Sequence, residues 1–157
     1  MAKFPVVATG GTFDEIHIGH IVLLSKAFQI GDKVIIGVSS DEFATRRGKM
    51  LNHNYDQRVE NLRSMIRREF GDVDYEITML NGDFGPAVTA GDVRALVTSS
   101  ETQYKGAILN EIRIKNGLRP VEVIVVDLVK AEDGSPISST RIRAGEIDYK
   151  GRLLKRR

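Results

Sequence analysis

Apolar runs alternate with longer amphipathic segments along this chain. Phe4 to Ala8 is a short apolar run that predicts a buried strand, ending at Gly10-Gly11. From Ile18 to Ile30 the positions Ile21, Leu24, Ala27 and Phe28 fall at helical spacing, and Gly31-Asp32 closes the helix. Lys33 to Val38, with Val34-Ile35-Ile36 at its centre, predicts a second strand. The polar, basic stretch Ser39 to Asn54 shows little periodicity and is long enough to suggest a functional loop. Helical spacing returns in Tyr55 to Phe70 through Val59, Leu62, Met65 and Ile66. Val73 to Leu80 alternates as a strand does, and Asn81 to Gly91 is turn-rich, with Gly82, Gly85 and Pro86. Ala95-Leu96-Val97 predicts another strand, and Thr102 to Asn116 a helix stopped by Gly117. Val121 to Val126 is β-branched except for Glu122, which predicts a central parallel strand. Ser138 to Ala144 begins a last short helix.

The resulting order, β-α-β-α-β-β-α-β-α, is that of an α/β fold. We expect one Rossmann-like domain over residues 1–157, an open, mostly parallel sheet with helices on both faces. In such a sheet, ligands bind outside the carboxyl ends of the strands. Gly10, Gly11 and Thr12 lie at that edge of the first strand. Two glycines there are either a tight turn or a place where the backbone approaches a phosphate. The spacing is not G-x-G-x-x-G, so a dinucleotide-dependent hydride transfer gains no support.

His17-Ile18-Gly19-His20 follows at once. Two histidines three apart at a helix start can face the same side, and Gly19 between them leaves room against the backbone. The helix N-terminus predicts free N–H groups and a dipole that favours phosphate over an imidazolium, so neutral rings are expected to act as donors. A metal site is the rival reading, with Asp14 and His53 as the remaining ligands. A second constellation, Ile137-Ser138-Ser139-Thr140-Arg141-Ile142-Arg143, follows the acidic turn Glu132-Asp133-Gly134. It reads either as a capped helix or as a triphosphate cradle of hydroxyls and arginine.

Composition excludes more than it selects. With 157 residues, 41% hydrophobic and 28% charged, the chain is ordinary for a globular protein. A formal charge of +2, part of it in the tail Lys155-Arg156-Arg157, does not announce nucleic acid. The absence of cysteine excludes disulfides, thiolate nucleophiles and Cys-ligated metals. No run reaches the roughly 18 apolar residues of a membrane span, and no signal peptide is evident, so a cytoplasmic protein is expected.

The segment GGTFDEIHIGH resembles the signature of the nucleotidylyltransferase superfamily, whose T/H-x-G-H motif holds nucleotide phosphates. It is also similar to the HIGH motif of class I aminoacyl-tRNA synthetases, but the chain is far too short for one and has no K-M-S-K-S. The same superfamily carries I-S-S-T-x-x-R near its C-terminus, and ISSTRIR fills it. Over essentially the whole chain, TSSET (98–102), NEIRIKNG (110–117) and EDGSPISSTRIRAGEID (132–148) resemble the archaeal and eukaryotic type of phosphopantetheine adenylyltransferase.

The resemblance implies adenylyl transfer from ATP to 4′-phosphopantetheine, giving dephospho-coenzyme A and pyrophosphate. It implies His20 as donor to the α-phosphate, Thr12 orienting the incoming phosphate and Lys49 bridging both phosphates. Gly10, Gly11, His17 and Gly19 would bind the nucleotide phosphates, and Ser138, Ser139, Thr140 and Arg141 the leaving pyrophosphate. Mg²⁺ is implied as ATP's companion rather than as a resident metal. The implied partners are these small molecules, not nucleic acid or membrane, and the sequence carries no sign of oligomeric state. Phe84 and Tyr104 fit either a pantetheine contact or the core. Rival readings on the same motifs are a glycerol-phosphate or choline-phosphate cytidylyltransferase, an FAD synthase, and a non-catalytic nucleotide-binding module.

Overall fold

Phe4–Gly11 (β1) is the middle strand of a five-stranded sheet, and its hydrogen bonds fix where everything else sits. In this computed structural model, which describes residues 3–85, 87 and 90–154, the elements follow the expected order with one additional short helix after the second strand. They are β1, Ile18–Ile30 (α1), Gly31–Ser39 (β2), Asp41–Arg46 (α2), Tyr55–Phe70 (α3), Tyr75–Leu80 (β3), Val93–Ser99 (β4), Tyr104–Lys115 (α4), Glu122–Val126 (β5) and Ser139–Arg143 (α5). Pro86 and the basic tail Lys155, Arg156 and Arg157 lie outside the described residues.

All four strand pairings are parallel, in the order β3-β2-β1-β4-β5. The chain winds outward from β1 to β3, then crosses back to place β4 on the other side of β1. The carboxyl ends of β1 and β4 therefore flank the switch point, where open α/β sheets bind ligands. A β-bulge on β4 shifts register between Val6 and Val7 of β1. After it, Ala95 and Val97 face the core shared with Leu24, Ala27, Leu62, Met65 and Ile66, which brings α1 and α3 onto that face. Leu96 faces the opposite core, which contains Ala8 and Leu109 and so takes α4. A third small core of Ala131, Ile137 and Ile147 packs on Ile18, docking the C-terminal segment against the start of α1.

Two expectations change. Ser39 to Asn54 is not wholly loop: Ser40 caps Phe43 N–H at 3.1 Å and starts α2, with Asp41 and Glu42 in its first turn. Six residues are too few to show helical periodicity, but the start signal was readable. Val121 to Val126 does not form a central strand. β5 lies at the sheet edge, bonded only to β4, with Glu122 and Val125 exposed. A β-branched run reports a pleated, half-buried surface rather than the number of neighbouring strands. Among the described residues, no helix is long and apolar enough to cross a membrane.

Candidate active site

Beyond β1 the backbone turns sharply, and Phe13 takes a left-handed φ of 56°. For an L-residue this costs about 1–2 kcal/mol, offset here by burial of the Phe13 ring against His20, 4.9 Å between centroids. The turn drives Asp14 inward until it is 1% exposed. Its carboxylate accepts from the backbone N–H groups of Asn52 (3.1 Å) and His53 (3.0 Å) and from Arg143 Nη1 (2.6 Å), and lies 3.2 Å from His53 Nδ1. Burial pushes this carboxyl up, but the Asn52 N–H, the Arg143 guanidinium and His53 together hold it below the usual carboxylate range.

At the start of α1, His17 is the N-cap residue, and its Nδ1 accepts from Gly19 N–H at 3.0 Å. In return, His20 Nδ1 accepts from His17 N–H at 3.1 Å, closing a capping box built of two histidines. The rings stack at 3.9 Å. Gly19 is required because a Cβ there would stand 2.7 Å from His17 Cε1; the room it leaves is filled by the His17 ring itself. The first N–H groups of the helix are thus not free, contrary to expectation. Ile18 N–H donates to Tyr149 O, Gly19 to the His17 ring, and His20 and Ile21 to His17 O.

What the helix start offers the cleft is the imidazoles. Each Nδ1 accepts a backbone proton, so each neutral ring carries its proton on Nε2 as a donor. Burial lowers His17 to about 4, and burial together with the neighbouring His17 holds His20 well below the ordinary histidine value. Both rings stay neutral near pH 7.

The second constellation meets the first across this turn. Ser138 caps α5 by accepting from Arg141 N–H at 3.2 Å, which leaves its own hydroxyl proton to donate. The Ser139 hydroxyl is spent on Glu15, donating to its carbonyl at 3.1 Å and accepting from its N–H at 3.2 Å. Arg143 Nη2 donates to Thr140 Oγ1 at 3.2 Å while Nη1 holds Asp14.

The resulting cleft, about 380 Å³, opens at the carboxyl ends of β1 and β4. It brings together Gly10, Gly11, Thr12, His17, Gly19, His20, Lys49, Ser138, Ser139 and Thr140. Arg141 is the exception. It donates to Glu146 at 2.9 Å, to Asp133 at 2.5 Å and to Pro136 O at 3.2 Å, outside the cleft lining. Arg143 lines the cleft in its place. Two residues along a helix turn about 200°, so only one of these arginines can face the cleft, and the acidic turn at Asp133 claims the other. The signal was present: in I-S-S-T-x-x-R the arginine falls at 143.

Arg58, absent from the expected site, is fully buried beneath it. It donates to Thr12 O (2.7 Å), Ser39 O (2.8 Å) and His53 O (3.2 Å) and pairs with Asp41 (2.7 Å). One guanidinium therefore ties the ends of β1 and β2 to α2 and α3.

Asp14, Glu15 and His53 bring ligand atoms within 4.8 Å of one another. They do not suit a resident cation, because Arg143 occupies one Asp14 oxygen and backbone N–H groups take both. Nor does His53 join His17 and His20; its ring nitrogen faces Asp14 and Glu15. Of the two apolar candidates, Phe84 lines the cleft and Tyr104 is exposed.

Residues 8–145 match the cytidylyltransferase-like family model. The chain is 44% identical over 154 residues to the phosphopantetheine adenylyltransferase of Methanothermobacter thermautotrophicus, covering 98% of this chain and 92% of that one. The chain belongs to the phosphopantetheine adenylyltransferase family. A second member, from Methanosarcina acetivorans, is 45% identical over 153 residues, covering 96% and 97% of the two chains. Among solved structures, an Archaeoglobus fulgidus protein of unknown function superposes with a TM-score of 0.70 at 32% identity, over 77% of this chain and 88% of that one. The family thus spans both motifs and the segments between them, including TSSET at 98–102.

Proposed function

We propose that the cleft transfers the adenylyl group of ATP to the phosphate of 4′-phosphopantetheine, releasing pyrophosphate. The observation that carries this reading is the paired Nε2–H donors of His17 and His20, held neutral beside the cleft and backed by the Ser138–Arg143 cradle. Family membership selects the acceptor.

A phosphate oxygen of the acceptor attacks the α-phosphorus of ATP, and the bond from that phosphorus to the bridging oxygen of the β-phosphate breaks. The nucleophile is anionic near neutrality, since the second pKa of a phosphomonoester is about 6. No general base is needed. His20, with His17 beside it, donates to α-phosphate oxygens as the phosphorus becomes five-coordinate, and Gly10 and Gly11 admit the phosphates close to the backbone. Thr12 orients the incoming phosphate, and Lys49 adds charge between the two substrates. The hydroxyls of Ser138 and Thr140 and the guanidinium of Arg143 take the leaving pyrophosphate, while Ser139 holds α5 to the β1 turn.

Mg²⁺ would enter with ATP on its phosphates; among the described residues the group Asp14, Glu15 and His53 does not suit it, because Arg143 and backbone N–H groups already hold Asp14. We place the enzyme in the cytoplasm, acting on these small molecules and not on nucleic acid or membranes.

The test is product analysis with ATP or CTP against 4′-phosphopantetheine, glycerol 3-phosphate and FMN. Dephospho-coenzyme A from ATP and 4′-phosphopantetheine alone is the expected result. Turnover with CTP only contradicts it, and no product from any pair would return the protein to the class of nucleotide-binding modules.

A further inference from the structure

The hydroxyl of Thr98 is buried and has no hydrogen-bond partner, yet Thr98 lines the cleft. The residue is 7% exposed and stands at the carboxyl end of β4, on the switch-point side next to β1. A buried, unsatisfied hydroxyl costs roughly a hydrogen bond's worth of stability, so such groups are rare without a purpose.

Alternation after the β4 bulge sets the direction. Val97 faces α1 and α3, so Thr98 faces the opposite side of the sheet with Leu96, toward α4. That half of the cleft has its own charged groups, with Asp83 and Glu101 lining it beside two cations. Lys105 of α4 and Arg47 after α2 both line it, and both pair with Asp83, Lys105 at 3.4 Å. The histidine pair and the Ser138–Arg143 cradle lie with α1 and α5. In phosphoryl transfer the attacking and leaving oxygens are roughly in line across the phosphorus. With pyrophosphate leaving toward α5, the attacking group enters from the α4 half.

We infer that Thr98 is an acceptor-binding residue whose hydroxyl donates to the phosphate of the acceptor, with Lys105 and Arg47 as neighbouring cations. The inference rests on the proposed reaction. Thr98 Oγ1 itself has almost no accessible surface, so a rotation about χ1 brings it to the cleft wall as the phosphate arrives.

Three proteins test this: wild type, Thr98→Val, which keeps the β-branched shape, and Thr98→Ser, which keeps the hydroxyl. Calorimetric binding of 4′-phosphopantetheine and steady-state kinetics with both substrates are measured alongside thermal melts without ligand. Thr98→Val is expected to weaken binding of the acceptor, and raise its KM, about ten-fold or more. KM for ATP should stay within about two-fold of wild type. Thr98→Val should melt no lower than wild type, because the ligand-free protein loses no hydrogen bond. Thr98→Ser should bind the acceptor within about three-fold of wild type.

Unchanged acceptor binding in Thr98→Val overturns the inference, as does a rise confined to KM for ATP. A lower melting point with unchanged kinetics also overturns it, by making the hydroxyl structural. If wild type itself neither binds nor adenylylates 4′-phosphopantetheine, the proposed reaction fails, and this inference with it. Normal wild-type turnover with an indifferent Thr98→Val removes the inference alone.

Discussion

Asp14 and Arg143, 129 residues apart in the chain, meet at 2.6 Å between Oδ2 and Nη1. The contact joins the turn after β1 to α5 and so makes one site from two sequence motifs. Asp14 is almost wholly buried and Arg143 nearly so, and each positions the other. Removing one member of such a pair leaves a buried charge and costs about 3 kcal/mol. Asp14→Asn should therefore lower unfolding free energy by about that amount in urea titration.

The two arginines of α5 should separate cleanly. Arg143→Met is expected to raise KM for ATP or lower kcat, reducing kcat/KM by about ten-fold or more, since it deletes a cation lining the cleft. Arg141→Met should leave kcat/KM within about three-fold and show its effect in stability, through the lost contacts to Asp133 and Glu146. Steady-state kinetics on both variants decide the matter.

This pair also marks how far the chain could be read before folding. GGTFD and HIGH were legible because their spacing is local: Gly19 and both histidines act within one helical turn. Arg141 was misplaced by reading arginine content instead of direction, since the acidic turn that claims it becomes its neighbour only when α5 folds. The β-branched run Val123 to Val126 reports a pleated, half-buried surface and not strand order, so it does not tell an edge strand from a central one. TSSET marks Thr98 only by resemblance, and nothing in the sequence marks Lys105. That both line the cleft depends on β4 lying beside β1, which no local pattern encodes.

Gly19→Ala should decouple stability from activity. Alanine favours the helix by up to about 1 kcal/mol over glycine, yet its Cβ would stand 2.7 Å from His17 Cε1 and displace that ring. Melting should change little while kcat falls about ten-fold or more.

Arg58→Met removes the guanidinium that ties Thr12, Ser39, His53 and Asp41 together. Several carbonyls lose their donor, and a loss of about 3 kcal/mol is expected in chemical denaturation.

The histidine pair makes stability depend on pH with a definite sign. An unfolded histidine binds its proton near pH 6.5, whereas His17 in the fold resists until about 4. Between those values the unfolded chain holds more protons, so stability is full above pH 6.5 and falls as pH drops toward 4. His17 alone contributes about 1.4 kcal/mol per pH unit through most of that window. His20 acts in the same direction. Urea midpoints from pH 7.5 to 4.5 measure the slope, and His17→Gln should flatten it.

In the proposed reaction neutral His20, proton on Nε2, stabilises the α-phosphate during adenylyl transfer. The direct measurement is pyrophosphate release from ATP and 4′-phosphopantetheine by His20→Ala, beside a melt that shows the variant folded. A fall in kcat of about 10² or more is expected, with a cooperative unfolding transition retained. Near-wild-type turnover by a folded His20→Ala protein would contradict this role of His20.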